Sequence, residues 1–592
     1  MAAASRPFLL GVATGLFFAT AAVGIGLFAV LRGPSDAASA VVVADSATAA
    51  VPDAVAHAAI FERRILEPAP GVHVAIGYGL ANVIVVEAPE GLILVDTLES
   101  IRAAEALAPW LDGLRRSTGK AVTDVIYTHN HADHVFGAGV LLDGQDSRPR
   151  IWAHAATEGR VYEIVNVLAP VTFRRAMRMF GVYLPDGDFV HNGIGPRLLN
   201  DHTDGLYFLP PTDTVDDSAD VLMAGEPVLV EHAPGETADQ LLVFFPERSV
   251  LLPADNYYHC FPNLYTVRGT PYRDPRIWAR SLDRMRELQA EVLVPSHSAP
   301  VVGRELIDHR LRTYRDAIQY VYDETIRGIN AGLTPREIAE QIELPPHLAG
   351  EPHLQEMYGR VEFAARAVFS GTLGWFSGDP ADLRPVDQTR EAELLVRLAG
   401  GIEGVVAEAE RALADGEPAW ALTLGGHLDR VADPNAASIR ARALRALAAD
   451  ELASSVRNYY LTAAAEAEGF ELPASGLGGT PASVLDRIPI RHFLDVLAVH
   501  LKDEATLDLE ASYGFDFSDS EPMTIRIRRG VALVEPGLAP DRLGTLRTTT
   551  SSLRALSTGR ATPAQLLAEG HIEVDGGVLG LRKFLAYFAP PG

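Results

Sequence analysis

Four side chains able to ligate a metal fall within six residues of this chain: His129, His131, Asp133 and His134, in the string Thr128-His129-Asn130-His131-Ala132-Asp133-His134. The H-x-H-x-D-H spacing suits two ions rather than one. His129 and His131 project from one tight loop toward a common point, and Asp133 and His134 can turn toward a second point a few ångströms away. Imidazole and carboxylate together suit zinc or a similar divalent cation. Three more candidates follow. Glu236 sits in the turn Pro234-Gly235-Glu236-Thr237, Asp255 ends the run Leu251-Leu252-Pro253-Ala254-Asp255, and His297 closes Val294-Pro295-Ser296-His297.

These residues need elements to hold them. The first cluster directly follows a hydrophobic run, Val122 to Tyr127, that reads as a strand. Pro227 to Val230 precedes Glu236, and Val292 to Val294 precedes His297, in the same manner. Each candidate therefore stands just beyond the carboxyl end of a strand, where open α/β sheets place their sites. Gly91 to Asp96 and Leu241 to Phe245 read as further buried strands, and residues 60 to about 305 alternate such runs with helical ones, as helices packed outside β-sheets would. From Gly303 the pattern turns helical. Thr334-Pro335-Arg336-Glu337 is a capping box with Pro at the first helical position, and residues 390 to 470 carry helical periodicity in Ala, Leu, Glu and Arg. The carboxyl end returns to mixed α+β. Thr524 to Ile527 alternates as a half-buried strand, Pro563 to Glu569 reads as a short helix and Gly570 to Gly576 as another strand.

The order of the motifs resembles the metallo-β-lactamase fold superfamily of hydrolases, where a first cluster, a third ligand in a P-G-H-T-like turn, a bridging carboxylate and a final His bind two metals. Glu236 stands where most of that superfamily has His. With Asp255, the stretch Asn256 to Gly269 (NYYHCFPNLYTVRG) and His297, it is similar to the linear alkyl sulfatases, which hydrolyse detergents such as dodecyl sulfate. The likeness extends to Arg174 through Gly181 with Leu184-Pro185, to Tyr358-Gly359-Arg360 and Leu373-Gly374-Trp375-Phe376 with Gly378-Asp379-Pro380-Ala381, and to Arg457-Asn458-Tyr459-Tyr460-Leu461-Thr462. One departure is Asp255, where the family usually has Glu; a shorter carboxylate can still bridge two ions.

The resemblance implies an α/β fold in three parts: a metallo-β-lactamase αββα sandwich over residues 55–305, an all-α dimerisation domain over 306–475, and an α+β domain over 482–592 resembling sterol-carrier-protein-2-like domains, which hold apolar chains. From sequence alone the helical block is equally a lid. The implied cofactors are two divalent ions, zinc by default: one held by His129, His131 and Glu236, the other by Asp133, His134 and His297, with Asp255 bridging. A water bridging two such ions loses much of its pKa and is hydroxide near neutrality, so no further catalytic residue is required. Asn263 and Arg268 match the family's sulfate-binding Asn and Arg. His259 is a proton donor or, by preference, an orienter of its neighbours. The implied reaction is hydrolysis of linear alkyl sulfates to alcohol and sulfate. The alternatives are another hydrolase of this fold, acting on a phosphoester, lactone or β-lactam, and a non-catalytic lipid-binding membrane protein.

Composition sets the frame. At 592 residues the chain exceeds one core. A net charge of −26 argues against nucleic acid, whose binders carry basic patches, and an anionic ester must be drawn in by local arginines and metals against that field. The lone cysteine, Cys260, excludes an intrachain disulfide framework and reads as packing. Phe8 to Leu31 is an uncharged apolar run of 24 residues between Arg6 and Arg32, long enough to span a bilayer as a helix. Signal peptides have apolar cores of about 7–15 residues, though Ala38-Ser39-Ala40 resembles a cleavage site. Anchor and signal both place the body outside the cytoplasm, and residues 33 to 54 read as a linker.

Overall fold

Seven strands form the first sheet in sequence order: β1 (Arg64–Ala69), β2 (Val72–Ile76), β3 (Val83–Glu87), β4 (Leu92–Val95), β5 (Val122–Ile126), β6 (Arg150–His154) and β7 (Asp213–Val215). The four earliest are antiparallel neighbours, and β4 through β7 run parallel. A second sheet orders β13 (Val301–Val302), β12 (Val292–Leu293), β11 (Val250–Leu252), β10 (Leu241–Phe245), β9 (Glu226–His232) and β8 (Ser218–Met223). This computed structural model describes residues 48, 50–163, 167–199, 205–473, 488–502, 504–557 and 560–589.

The two sheets pack face to face because both carry β-branched and aromatic side chains at alternate positions. Val74, Ile84, Ile93 and Ile126 of the first meet Val228, Val230, Val243 and Phe245 of the second in one buried cluster. The helix Ile101–Thr118, capped by the Ser100 side chain and ended by Gly119 at φ +67°, buries Ala103, Leu107 and Leu111. On the other side, Trp278 and Leu282 of the helix Pro275–Glu287 and Leu311, Tyr314 and Ile318 of the helix Arg304–Asn330 cover Leu242, Leu251 and Leu293. The result is the αββα sandwich. The helical pattern beginning at Gly303 thus first supplies an outer layer of the sandwich, because its apolar stripe has a sheet face to cover.

The helices Gln388–Leu398, Ile402–Ala414, Pro418–Arg430, Ala436–Ala449 and Ser454–Ala467 follow, and the capping box at Thr334 and Glu337 forms as the sequence predicts. Arg457 and Asn458, in the R-N-Y-Y-L-T string, are buried. Arg457 donates to the carbonyls of Ala448 and Thr48 at 2.6 and 2.7 Å, and Asn458 Nδ2 to Asn192 Oδ1 at 3.1 Å. That string is a fastening between helices and sandwich. Pro52 starts the short helix Pro52–His57, so the linker expected through Ala54 ends earlier.

The described residues divide into two compact units, one within 48–161 and 172–473, the other within 488–589 together with 162–163 and 167–171. The second holds a sheet ordered β16 (Val531–Pro536), β15 (Met523–Arg528), β14 (Glu510–Phe517), β17 (Thr545–Thr548) and β18 (Ile572–Asp575). The strand expected as half-buried is so, with Arg526 half-buried and Arg528 exposed on its outer face. Ile525 and Ile527 are buried on one side, and Thr524 is buried on the other, donating to the Gly537 carbonyl at 2.7 Å. Leu497, Phe515, Leu546, Leu556, Ile572 and Leu581 line an apolar cleft in this unit. The Phe8–Leu31 run lies outside the described residues, and among those described no helix is long and apolar enough to cross a membrane.

Candidate metal and oxyanion site

The strand ends deliver their side chains to one place. The loop after β5 presents His129 and His131, and the helical turn Ala132–Val135 turns Asp133 and His134 inward. Asp255 comes from the turn Ala254–Asn256 after β11, and His297 from the loop after β12. The ligating atoms form two groups, His129 with His131 and Asp255, and Asp133 with His134 and His297, each spanning no more than 4.8 Å. Asp255 Oδ2 lies 3.6, 3.5 and 3.2 Å from Nε2 of His129, His134 and His297, so one carboxylate oxygen faces both groups. His129 Nε2 is 3.0 Å from His131 Nδ1, and His297 Nε2 is 3.4 Å from Asp133 Oδ2. Ligands about 2.0–2.1 Å from a tetrahedral zinc lie roughly 3.3 Å from one another, so the spacings fit first-row divalent ions.

Neighbours fix which ring nitrogen faces the site. Asp96 is buried at the end of β4 with φ +60°. Its Oδ2 accepts from His134 Nδ1 at 2.7 Å, Ser296 Oγ at 2.9 Å and Thr128 Oγ1 at 3.0 Å, and its Oδ1 from the Thr128 amide at 2.9 Å. With its proton on Nδ1, His134 has Nε2 free as a ligand. His297 donates from Nδ1 to the Leu80 carbonyl at 3.0 Å, with the same result. Glu99, buried and pushed up to about 7 chiefly by that burial, receives the amides of Leu80 and Leu199 and fixes the Leu80 loop.

Glu236 lies outside both groups. Its turn is held by Asn256, whose Oδ1 accepts the Glu236 amide at 3.3 Å and whose Nδ2 donates to the Ala233 carbonyl at 2.6 Å. A Cβ at Gly235 would come within 2.0 Å of that Oδ1, so the turn requires glycine. Glu236 Oε1 pairs with Arg273 Nη1 at 2.9 Å, while Oε2 is buried without a hydrogen-bond partner. Asp255 Oδ1 and His134 Nε2 are likewise buried and unpaired. Three orphaned acceptors or ligand atoms converging on one pocket are costly in a bare protein and are the atoms divalent ions would satisfy. Arg273, which spacing does not single out, is the group that turns Glu236.

Burial opposes charge throughout the pocket. It drives His129 and His131 well below the usual imidazole range, helped by His134 at the first and His129 at the second. At His134 burial is overcome by Asp96, Asp133 and Asp255, which raise the pKa well above the usual value; at His297 Asp255 and Asp133 lift it to about 8. Against burial, which would raise it, Asp255 is held well below the carboxylate range by His297, His134 and His129. Burial raises Glu236 despite Arg273.

The loop Asn256 to Gly269 closes over one side. The Asn263 amide donates to Tyr258 Oη at 2.7 Å, and the Asn263 carbonyl accepts from Arg273 Nη1, while Asn263 Nδ2 is buried without a partner. Arg268 Nη2 lies 3.0 Å from His131 Nε2, placing it beside the first group. A Cβ at Gly359 would fall 2.3 Å from the Pro262 carbonyl oxygen, so the Tyr358-Gly359-Arg360 string abuts this loop through glycine. His259 takes another direction. Its Nδ1 accepts from Arg310 Nη1 at 3.3 Å, and burial followed by Arg310 lowers its pKa to about 4. Among the described residues it has no hydrogen bond to the seven candidate ligands. Cys260 is buried and packs with Met179, Tyr258 and Tyr358.

The sandwich and the ligand-bearing strand ends define a metallo-β-lactamase-type centre, and residues 76–297 match the family model of the metallo-beta-lactamase superfamily. Residues 334–469 match the model described as alkyl sulfatase dimerisation, and 479–592 the alkyl sulfatase C-terminal model. A linear primary-alkylsulfatase from a Pseudomonas strain is 36% identical over 85% of this chain and 98% of that protein. An alkyl/aryl-sulfatase of Saccharomyces cerevisiae is 28% identical over 86% of this chain and 80% of its own. The solved structure of Pisa1, a stereoselective inverting sec-alkylsulfatase from Pseudomonas, superposes with a TM-score of 0.84 at 24% identity, covering 93% of this chain and 88% of that one. The chain belongs to the alkyl sulfatase family.

Proposed function

We propose that the protein hydrolyses linear alkyl sulfate esters to alcohol and sulfate with two divalent ions, zinc by default, held by His129, His131, Asp133, His134, Asp255, His297 and the free oxygen of Glu236. The observation that carries this reading is the convergence of orphaned ligand atoms with a buried, unpaired Asn263 amide and the Arg268 guanidinium beside them. Bound divalent ions supply an activated water at neutral pH. The chain's own residues do the rest. Asp96 and the Leu80 carbonyl hold the two imidazoles in the required tautomer. Arg268 and Asn263 donate to the non-bridging oxygens of the ester, planar donors against a tetrahedral anion. His259, neutral at physiological pH, serves to orient Arg310. The decisive experiment is release of inorganic sulfate from dodecyl sulfate by the metal-loaded protein. No release, with turnover of a β-lactam or phosphoester instead, would assign another hydrolase of this fold.

The apolar cleft of the C-terminal unit is lined to take an alkyl chain, which supports a surfactant as the substrate class. Each buried methylene adds up to about 0.8 kcal/mol, so catalytic efficiency should climb with chain length across medium chains. Leu556→Ser should flatten that climb while sparing a short, soluble ester. Equal losses on short and long esters would make the unit a structural prop.

A homodimer is the expected assembly. Leu373, Trp375, Leu383 and Val386 stand 57, 75, 64 and 54% exposed within fourteen residues, an apolar arm unsuited to water and suited to a second copy. Trp375→Asp should weaken association by about 2 kcal/mol or more, the range of interface hot spots. Light scattering would show the monomer mass, and an unchanged dimer would move the interface elsewhere. The Phe8–Leu31 run supports an extracytoplasmic location, by anchor or by cleaved signal.

A further inference from the structure

We infer that Arg273 is a positioning residue that joins the metal centre to the oxyanion pocket, fixing Glu236 with one end of its guanidinium and offering the other edge to a tetrahedral oxyanion. This rests on reading the site as one for sulfate esters. Arg273 is 4% exposed. Its backbone is set by the next residue, since Asp274 caps the helix Pro275–Glu287 by accepting from the Arg276 amide at 2.9 Å. Nη1 donates to the Asn263 carbonyl and stands 2.9 Å from Glu236 Oε1 in an ion pair. One nitrogen therefore ties the turn that carries a candidate ligand to the loop that carries a candidate sulfate donor.

The other edge is unused. Nε and Nη2, the lateral fork of the guanidinium, are both buried without a hydrogen-bond partner, as is Asn263 Nδ2. A buried guanidinium ordinarily satisfies its donors, and a parallel N–H pair matches two oxygens of a tetrahedral anion. Arg268 feels the charge of Arg273, so the two guanidiniums share a neighbourhood that pairs only one of them with a carboxylate. The Glu236 contact has its own consequence. By occupying Oε1, Arg273 leaves Oε2 as the single oxygen able to face an ion, which turns a carboxylate of two equivalent oxygens into a one-point ligand.

Two variants of the full-length protein separate these roles. Arg273→Lys keeps a cation beside Glu236 and removes the fork. It should retain metal affinity in chelator competition, while calorimetric affinity of the metal-loaded protein for inorganic sulfate falls about 10- to 100-fold. Arg273→Met removes both contacts. It should lose sulfate affinity to the same degree and also weaken metal binding about 10- to 100-fold, as loss of groups that orient ligands does. Wild-type sulfate affinity in Arg273→Lys would overturn the fork. Wild-type metal affinity in Arg273→Met would overturn the hold on Glu236. Should Arg273→Met not fold, Arg273→Lys still decides the fork, and Glu236→Gln, which weakens the pair and keeps its shape, decides the hold by the same competition. Wild-type protein that binds sulfate and metal in this pattern yet cleaves no alkyl sulfate would sink the proposed function and leave this inference standing.

Discussion

Asp255→Ala should leave the protein folded and nearly inert, with less than its full complement of ions. Asp255 Oδ2 stands within 3.6 Å of three imidazole nitrogens drawn from both ligand groups. Its removal takes one negative charge from a pocket where His134 and His297 already depend on it for their raised pKa values. The expected loss in turnover exceeds about 100-fold, the upper end of what changes to merely orienting groups cost. Elemental analysis should find one ion or none per chain, and chelator treatment of the unaltered protein should reproduce the inactivity. Full metal content in the Asp255→Ala protein would refute its bridging role. Asp255→Glu, restoring the family's usual residue, should recover most of the metal.

Arg268→Ala should cost about 1.5–3 kcal/mol in transition-state stabilisation, the range for a hydrogen bond to a charged group, with metal content unchanged. The reason lies in its present contact. Arg268 Nη2 faces His131 Nε2, while His131 Nδ1 faces His129 Nε2. An ion on Nδ1 would put that ring's proton on Nε2, and a protonated nitrogen cannot accept from a guanidinium. Arg268 then needs another acceptor, and an ester oxygen is the one the reaction brings. Arg268→Lys should recover only part, because an ammonium lacks the planar fork. Unaltered kcat/KM in the alanine variant would remove Arg268 from substrate binding.

The legibility of this site was uneven, for physical reasons. His129 to His134 announce themselves because four ligand types in six residues have few other uses. Glu236, Asp255 and His297 are single residues, legible only through the strands before them, and β9, β11 and β12 do lie on those hydrophobic runs, ending within about three residues of where they stop. The β-sandwich, the helical run and the mixed C-terminal sheet follow from period-2 and period-3.6 patterns. Asp96 and Arg273 left no such trace, since a lone charge can serve anywhere. A charged residue closing the wholly buried strand β4 was the one hint of Asp96. The grouping of Glu236 with His129 and His131 came without Arg273. The structure groups Asp255 with those imidazoles and pairs Glu236 with a guanidinium that sequence spacing could not locate. His259 follows a similar course: its partner, Arg310, lies on a helix 51 residues away.

The ligands hang from opposite halves of the sandwich. His129, His131, Asp133 and His134 follow β5 of the first sheet, whereas Glu236, Asp255 and His297 follow β9, β11 and β12 of the second. An ion gripped by both groups is then a rivet across the seam, formed only once the two sheets have closed on each other. Metal capture becomes a late event in folding that rewards correct assembly. A nascent chain that has paired each sheet separately, yet not joined them, has no complete site to load. Mass action on the closed form also makes the melting temperature of the protein climb with free metal concentration, so starvation for metal would loosen the sandwich as well as silence it.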